Sequence, residues 1–158
     1  MTNLSDKARS FSVLHIDSDR QWLNTIRREL MGAGIREVMV TTDPKEALVQ
    51  IRDASPNLLI THSDLKFVRF LRHHDASPNR KIPIIMVTSN VGPSDLVSMR
   101  DAGVNEIAVK PCSISQLFQR IEAIASRPRE FVESEKFTGP SRRRRKKENL
   151  AGPERRAG

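Results

Sequence analysis

PNLLITHSDLKF, residues 56–67, is the stretch on which the reading of the fold turns. Leu58, Leu59, Ile60 and Thr61 form a short run of strand-forming residues with no polar alternation, which predicts a strand covered on both faces. Only Ser63 and Asp64 separate His62 from the helical pattern that begins at Leu65. A strand covered on both faces implies a parallel sheet with helices on each side, and in such sheets the chemistry gathers where the strands end. His62 stands at that end.

The same unit recurs on either side of this stretch. FSVLHI (11–16), EVMVTT (37–42), PIIMVT (83–88) and EIAV (106–109) read as further strands. Between them lie helical spacings. Trp22, Leu23, Ile26 and Leu30 line one, and Ala47, Leu48 and Ile51 line the next, behind Asp43 as cap and Pro44 in the first turn. Phe67, Phe70 and Leu71 mark a third, PSDLVSMRDAG (93–103) a fourth, and Ile114, Leu117, Ile121 and Ile124 a fifth. The predicted architecture is α/β: a doubly wound (βα)5 domain with a five-stranded parallel sheet over residues 11–126. An N-terminal arm (1–10) precedes it and a basic tail (127–158) follows, expected to be disordered when free, with Phe131 and Phe137 as the residues that could pack elsewhere.

Composition narrows the function classes. The net charge is +8, but residues 127–158 alone contribute +6, so the basicity belongs to the tail and does not mark the body as a polyanion binder. One cysteine, Cys112, excludes an intrachain disulfide. No apolar run has the length of a signal peptide or a bilayer span, and the expected location is cytoplasmic.

The strand ends supply Asp17, Ser18 and Asp19 after the first strand, His62 after the third, Thr88 and Ser89 after the fourth, and Lys110-Pro111 after the fifth. Carboxylates, a hydroxyl and a lysine at one crevice are groups suited to phosphoryl transfer. Residues 11–126 resemble a response-regulator receiver domain of the stand-alone, CheY-like chemotaxis type, with its flavodoxin-like fold. The resemblance rests on VLHIDSD, PNLLITH, PIIMVTS and, most specifically, DAGVNEIAVKPCSISQLFQRI. It implies that the family's acidic pair falls on Asp17 and Ser18, its phospho-accepting aspartate on His62, its switch hydroxyl on Thr88 and its lysine on Lys110. It also implies a cis peptide at Lys110-Pro111. Its aromatic switch falls on Ile107, and the loop after the third strand is about six residues short.

Only Asp17, Thr88 and Lys110 keep their family identities. Asp19 is a candidate substitute for the lost carboxylate, although it leaves the strand in another direction. Asp17, Asp19, His62, Thr88 and Lys110 are therefore expected to form a vestigial pocket with no catalytic residue. Mg²⁺ requires several oxygen ligands, so its binding is expected to be weak or absent, and no cofactor is expected. Three readings of His62 remain open: it fills the vacated pocket, it is a phosphohistidine or metal ligand, or phosphorylation survives through Asp64. The resemblance implies a non-enzymatic protein of bacterial two-component, phosphorelay or motility signalling. Its expected partner is a signalling or flagellar-motor protein, bound through the fourth helix, fifth strand and fifth helix of the domain. Leu96, Met99, Arg100, Ile107 and Gln119 are the candidate contacts.

The tail carries FTGPSRRRR, similar to C-terminal extensions of alphaproteobacterial stand-alone receivers and to arginine-rich extensions that bind cyclic di-GMP. Arg142, Arg143, Arg144 and Arg145 are the candidate ligand-binding residues. Guanidinium groups pair bidentately with guanine edges and phosphates and stack on bases, which lysines do not match. The alternatives are a solvated basic tail and an adaptor for nucleic acid or another polyanion. No recognition helix or stacking platform accompanies the run, which ranks nucleic acid below the dinucleotide. A membrane-surface role ranks last.

Overall fold

The computed structural model describes residues 3–89, 91–134 and 137–142. Five parallel strands, β1 (Ser12–Ile16), β2 (Glu37–Thr41), β3 (Leu58–His62), β4 (Ile84–Thr88) and β5 (Glu106–Val109), form one sheet in the order β2-β1-β3-β4-β5. The order reverses between β1 and β3, so the crevice opens beyond Ile16 and His62. Helices α2 (Arg20–Gly32) and α6 (Ile114–Ser126) cover one face, where Ile26, Leu30, Leu117 and Ile121 pack on Val13, Leu58, Ile60 and Val87. Helices α3 (Pro44–Ala54), α4 (Leu65–His73) and α5 (Pro93–Ala102) cover the other, where Ile51, Val68, Leu71 and Met99 pack on Leu14, Leu59, Ile84 and Met86. The doubly wound α/β fold with its five-stranded parallel sheet is thus the one that the unbroken apolar strands predict.

Local signals set where the helices start. The side chains of Asp19, Asp43, Asp64 and Ser113 accept hydrogen bonds from first-turn amides of α2, α3, α4 and α6. Gly103 ends α5 with φ at 106°, a conformation that favours glycine.

The folded body extends past both expected boundaries. The arm contains helix α1 (Asp6–Arg9), which packs on α6 with Leu4 and Ala8 buried. Leu4 and Ala8 lie four residues apart, enough for one apolar stripe on a single turn. The amide and hydroxyl of Ser5 donate to the Glu122 carboxylate at 2.9 and 2.7 Å, which holds that carboxyl below its ordinary pKa of 4.5.

Beyond Ser126 the chain forms an antiparallel hairpin of β6 (Phe131–Glu133) and β7 (Thr138–Pro140), with β7 against α4. The expectation of a disordered tail from residue 127 therefore does not describe residues 127–134 and 137–142. Periodicity could not reveal the hairpin, because its strands are three residues long and its anchors are partners distant in sequence. The central anchor is Arg72 of α4, 1 % exposed. Its guanidinium donates to the carbonyls of Gly103 (2.9 Å), Arg80 (2.5 Å) and Ile82 (2.8 Å) and to Asn105 Oδ1 (3.1 Å). The Phe131 ring lies 5.4 Å from Arg72 Cζ.

Docking of the arm has a stability consequence. Leu4→Ala is expected to lower the unfolding free energy by about 2–3 kcal/mol in a urea titration. A loss below about 0.5 kcal/mol would mean that the arm is not docked in solution.

Candidate functional site

Alternation along β1 puts Val13, His15 and Asp17 on the α2/α6 face of the sheet. In β3 the corresponding residues are Leu58, Ile60 and His62, because Ile16 pairs with Thr61 and the next step brings Asp17 beside His62. Asp17 is 2 % exposed. Its Oδ1 accepts the Asp19 amide at 2.9 Å, and its Oδ2 accepts Lys110 Nζ at 3.2 Å. Lys110 enters from the end of β5 ahead of a cis peptide to Pro111, with Nζ 5.3 Å from the centroid of the Trp22 ring. The lysine is thus held between a buried carboxylate and an aromatic face.

Among the described residues no side chain of the other expected pocket residues bonds to this pair, although His62 lies beside Asp17 in the register. Asp19 is exposed and its carboxylate accepts the Trp22 amide at 3.1 Å, so its side chain caps α2 and only its backbone amide meets Asp17. Thr88 is buried, and its hydroxyl donates to the Ser89 carbonyl at 3.4 Å. His62 is half-buried, and among the described residues its Nδ1 has no hydrogen-bond partner. Asp64 accepts the Phe67 amide at 3.0 Å, and its own amide donates to the His62 carbonyl at 2.8 Å. The carboxylate two residues past the expected acceptor position is therefore a helix cap.

Mg²⁺ would need oxygen ligands in a near-octahedral set. The one carboxylate in the pocket already meets an ammonium and an amide, so these residues do not fit the ion. Among the described residues no three His, Cys, Asp or Glu side chains gather as a metal-binding group.

His15 is a pocket neighbour that the sequence reading missed. It is fully buried, and both its ring nitrogens lack a partner among the described residues. Burial lowers its pKa to about 4; Asp17 opposes the shift, and Lys110 and His62 add to it. A histidine inside the apolar run VLHI, two residues before Asp17, was the available signal.

Arg142, the first of the four arginines, pairs with Asp101 at 2.7 Å, and its Cζ lies 4.4 Å from the centroid of the Phe137 ring. Arg143, Arg144 and Arg145 lie outside the described residues. On the expected partner face Leu96, Arg100 and Gln119 are exposed and Ile107 is half-buried. Met99 is not available there: it is 5 % exposed and belongs to the core, because it shares with Ala102 the side of α5 that faces the sheet. Val97 and Val109, 53 % and 47 % exposed, add apolar surface that the sequence reading did not name.

The parallel sheet, its switch point between β1 and β3, and the lysine reaching a carboxylate across the strand ends define a receiver-type α/β fold. The response regulator receiver domain family matches residues 13–122, and the chain belongs to that family. The Response regulator MprA of Mycobacterium leprae is 29 % identical over 121 residues, which cover 73 % of this chain and 51 % of the relative. The chain thus spans about half the length of the curated relatives it matches. A putative response regulator from Chloroflexus aurantiacus is 27 % identical, with a TM-score of 0.66 over 75 % of this chain and 99 % of that one. The chemotaxis protein CheY4 of Vibrio cholerae is 23 % identical, with a TM-score of 0.65 over 73 % and 98 %, and shares the fold. Among the described residues no helix is long and apolar enough to cross a membrane.

The unpaired histidine makes stability pH-dependent. The His15 pKa is lower folded than unfolded, so between about 6.5 and about 4 the unfolded chain binds the extra proton. Stability is therefore expected to fall with pH through that window, by at most about 1.4 kcal/mol per pH unit. Chemical denaturation of the wild type and His15→Leu at pH 7.5 and 5 should show the slope in the wild type and its loss in the variant. Equal slopes would mean that His15 is solvated.

Proposed function

We propose that this chain is a non-enzymatic pseudo-receiver of two-component or motility signalling that acts through protein contacts without phosphorylation. The observation that carries this reading is the Lys110–Asp17 pair at the site where the family's chemistry would occur, with His62 beside it. The lysine that would meet a phosphoryl group is engaged with Asp17, Asp64 caps α4, and among the described residues no second carboxylate gathers with Asp17 to share a cation. Acyl-phosphate formation needs a carboxylate nucleophile, and imidazole does not supply one. The surface offered to a signalling partner is the outer side of α5 and β5 with α6, where Leu96, Val97 and Val109 give apolar contacts and Arg100 a charge.

The test is incubation of the full chain with acetyl phosphate and Mg²⁺, followed by intact-mass spectrometry and Trp22 fluorescence. No phosphate adduct and no Mg²⁺-dependent quench are expected. An acid-stable, hydroxylamine-labile adduct on Asp64 or Asp17 would overturn the reading, and an acid-labile adduct on His62 would replace it with a phosphohistidine.

The state of Arg142 favours a second reading for the tail. Its guanidinium is half-exposed and lies close to the Phe137 ring, in an arrangement that also suits a purine face. We take Arg142, with Arg143–Arg145 beside it in sequence, as the candidate cyclic di-GMP site. Titration calorimetry of the full chain is expected to show saturable binding that is lost when Arg142–Arg145 become alanine. Weak binding that scales with oligonucleotide length and falls steeply with salt would instead favour a polyanion adaptor.

A further inference from the structure

The hairpin closes over a buried cation, and among the described residues no carboxylate pairs with it. Arg72 is held only by neutral acceptors and by the face of Phe131. Burial alone lowers its pKa to about 9. Docking the hairpin gains apolar contact for Phe131 and Pro140 and keeps water from Arg72. Undocking loses the contact and lets the cation solvate. The two terms oppose each other, which is the condition for a segment that opens locally while the rest of the domain stays folded. A small cavity lined by Arg72, Phe131 and Pro140 lies beneath the hairpin.

The docked state is nevertheless specific. A Cβ on Gly139 would lie 2.8 Å from Gly103 Cα, and one on Gly103 would lie 2.9 Å from the Thr138 carbonyl oxygen. Two backbones therefore meet where α5 ends. Just beyond β7, Arg142 reaches back to Asp101 in the last turn of α5. Arg72 joins the same junction through the Gly103 carbonyl. Three contacts thus meet at the end of α5: the β7 backbone at Gly103, Arg142 at Asp101, and Arg72 of α4 at the Gly103 carbonyl.

We propose that the β6–β7 hairpin is a releasable strap whose docking fixes the C-terminal end of α5, and with it the conformation of the α5/β5 surface. Release removes the Phe131 ring from Arg72 and the Thr138–Gly139 backbone from Gly103, and frees the last turn of α5 to fray. The device stands whether or not the arginine run binds a nucleotide, because it uses only contacts within the folded chain.

Hydrogen exchange with mass spectrometry on the full chain tests it, comparing the wild type with Phe131→Ala and Asp101→Ala. In the wild type, the β6–β7 ladder and the last turn of α5 are expected to exchange at least about tenfold faster than β1 and β3. In both variants these two segments should speed up together by about a further tenfold, with β1, β3 and α2 unchanged. Exchange of the hairpin only in step with β1 and β3 would show that it does not open locally and would overturn the proposal. Faster hairpin exchange with an unaltered α5 would overturn it as well, since the strap would then control nothing.

Discussion

A lysine from the end of β5 reaches a buried carboxylate at the end of β1, and the character of the whole strand-end region follows from that contact. Strands covered on both faces leave no room for charge within the sheet, so charged groups collect where the strands run out. Asp17 is 2 % exposed and needs a cation, and Lys110 supplies one at 3.2 Å. The pair is not a stability device in its own right, because desolvating two ions offsets most of their attraction. It decides what else the pocket can hold. A carboxylate already neutralised by an ammonium attracts a divalent cation poorly. Lys110, for its part, already has a carboxylate partner in this structure.

The second unusual charge sits at the opposite end of the strands. Arg72 lies at the level where β4 and β5 begin, and it ties together the carbonyls of Ile82 and Gly103 and the side chain of Asn105. Asn105 Oδ1 also accepts the Ile84 amide at 2.9 Å, so the network reaches the first residue of β4. Replacing Arg72 with an apolar residue would orphan several buried acceptors at once, a larger penalty than the loss of one hydrogen bond. The hairpin therefore covers a cation that also ties parts of the body together.

The fold was legible because its signal is distributed. Five apolar runs and five helical spacings each repeat the same statement, and an error in one would not have changed the topology. Asp17 and Lys110 were legible by their places at strand ends, and their contact is observed. Asp19 was misleading: an aspartate right after an acidic strand end has the sequence appearance of a pocket residue, yet three residues before Trp22 it is equally a helix cap, and capping is what its carboxylate does. His15 was hidden by the opposite effect, a polar residue inside a run that reads as uniformly buried. The hairpin and α1 were not legible, since each has too few residues to repeat its pattern and is stabilised by residues distant in sequence, such as Arg72 and Glu122.

Helix α5 relates the two ends of the sheet. It starts after β4, on the side of the pocket, and stops at Gly103, against the hairpin. In a receiver that takes phosphate, a change at the pocket end must be transmitted to this helix if partners are to sense it. Here the pocket end holds an internal ion pair, and the end with contacts of opposing sign is the one at Gly103. A helix is a stiff element, and biasing either terminus shifts the same surface. On the proposed pseudo-receiver reading, the proposed strap gives the same surface a physical route from the other terminus of α5. That route requires no residue of the pocket to change its charge or its partner.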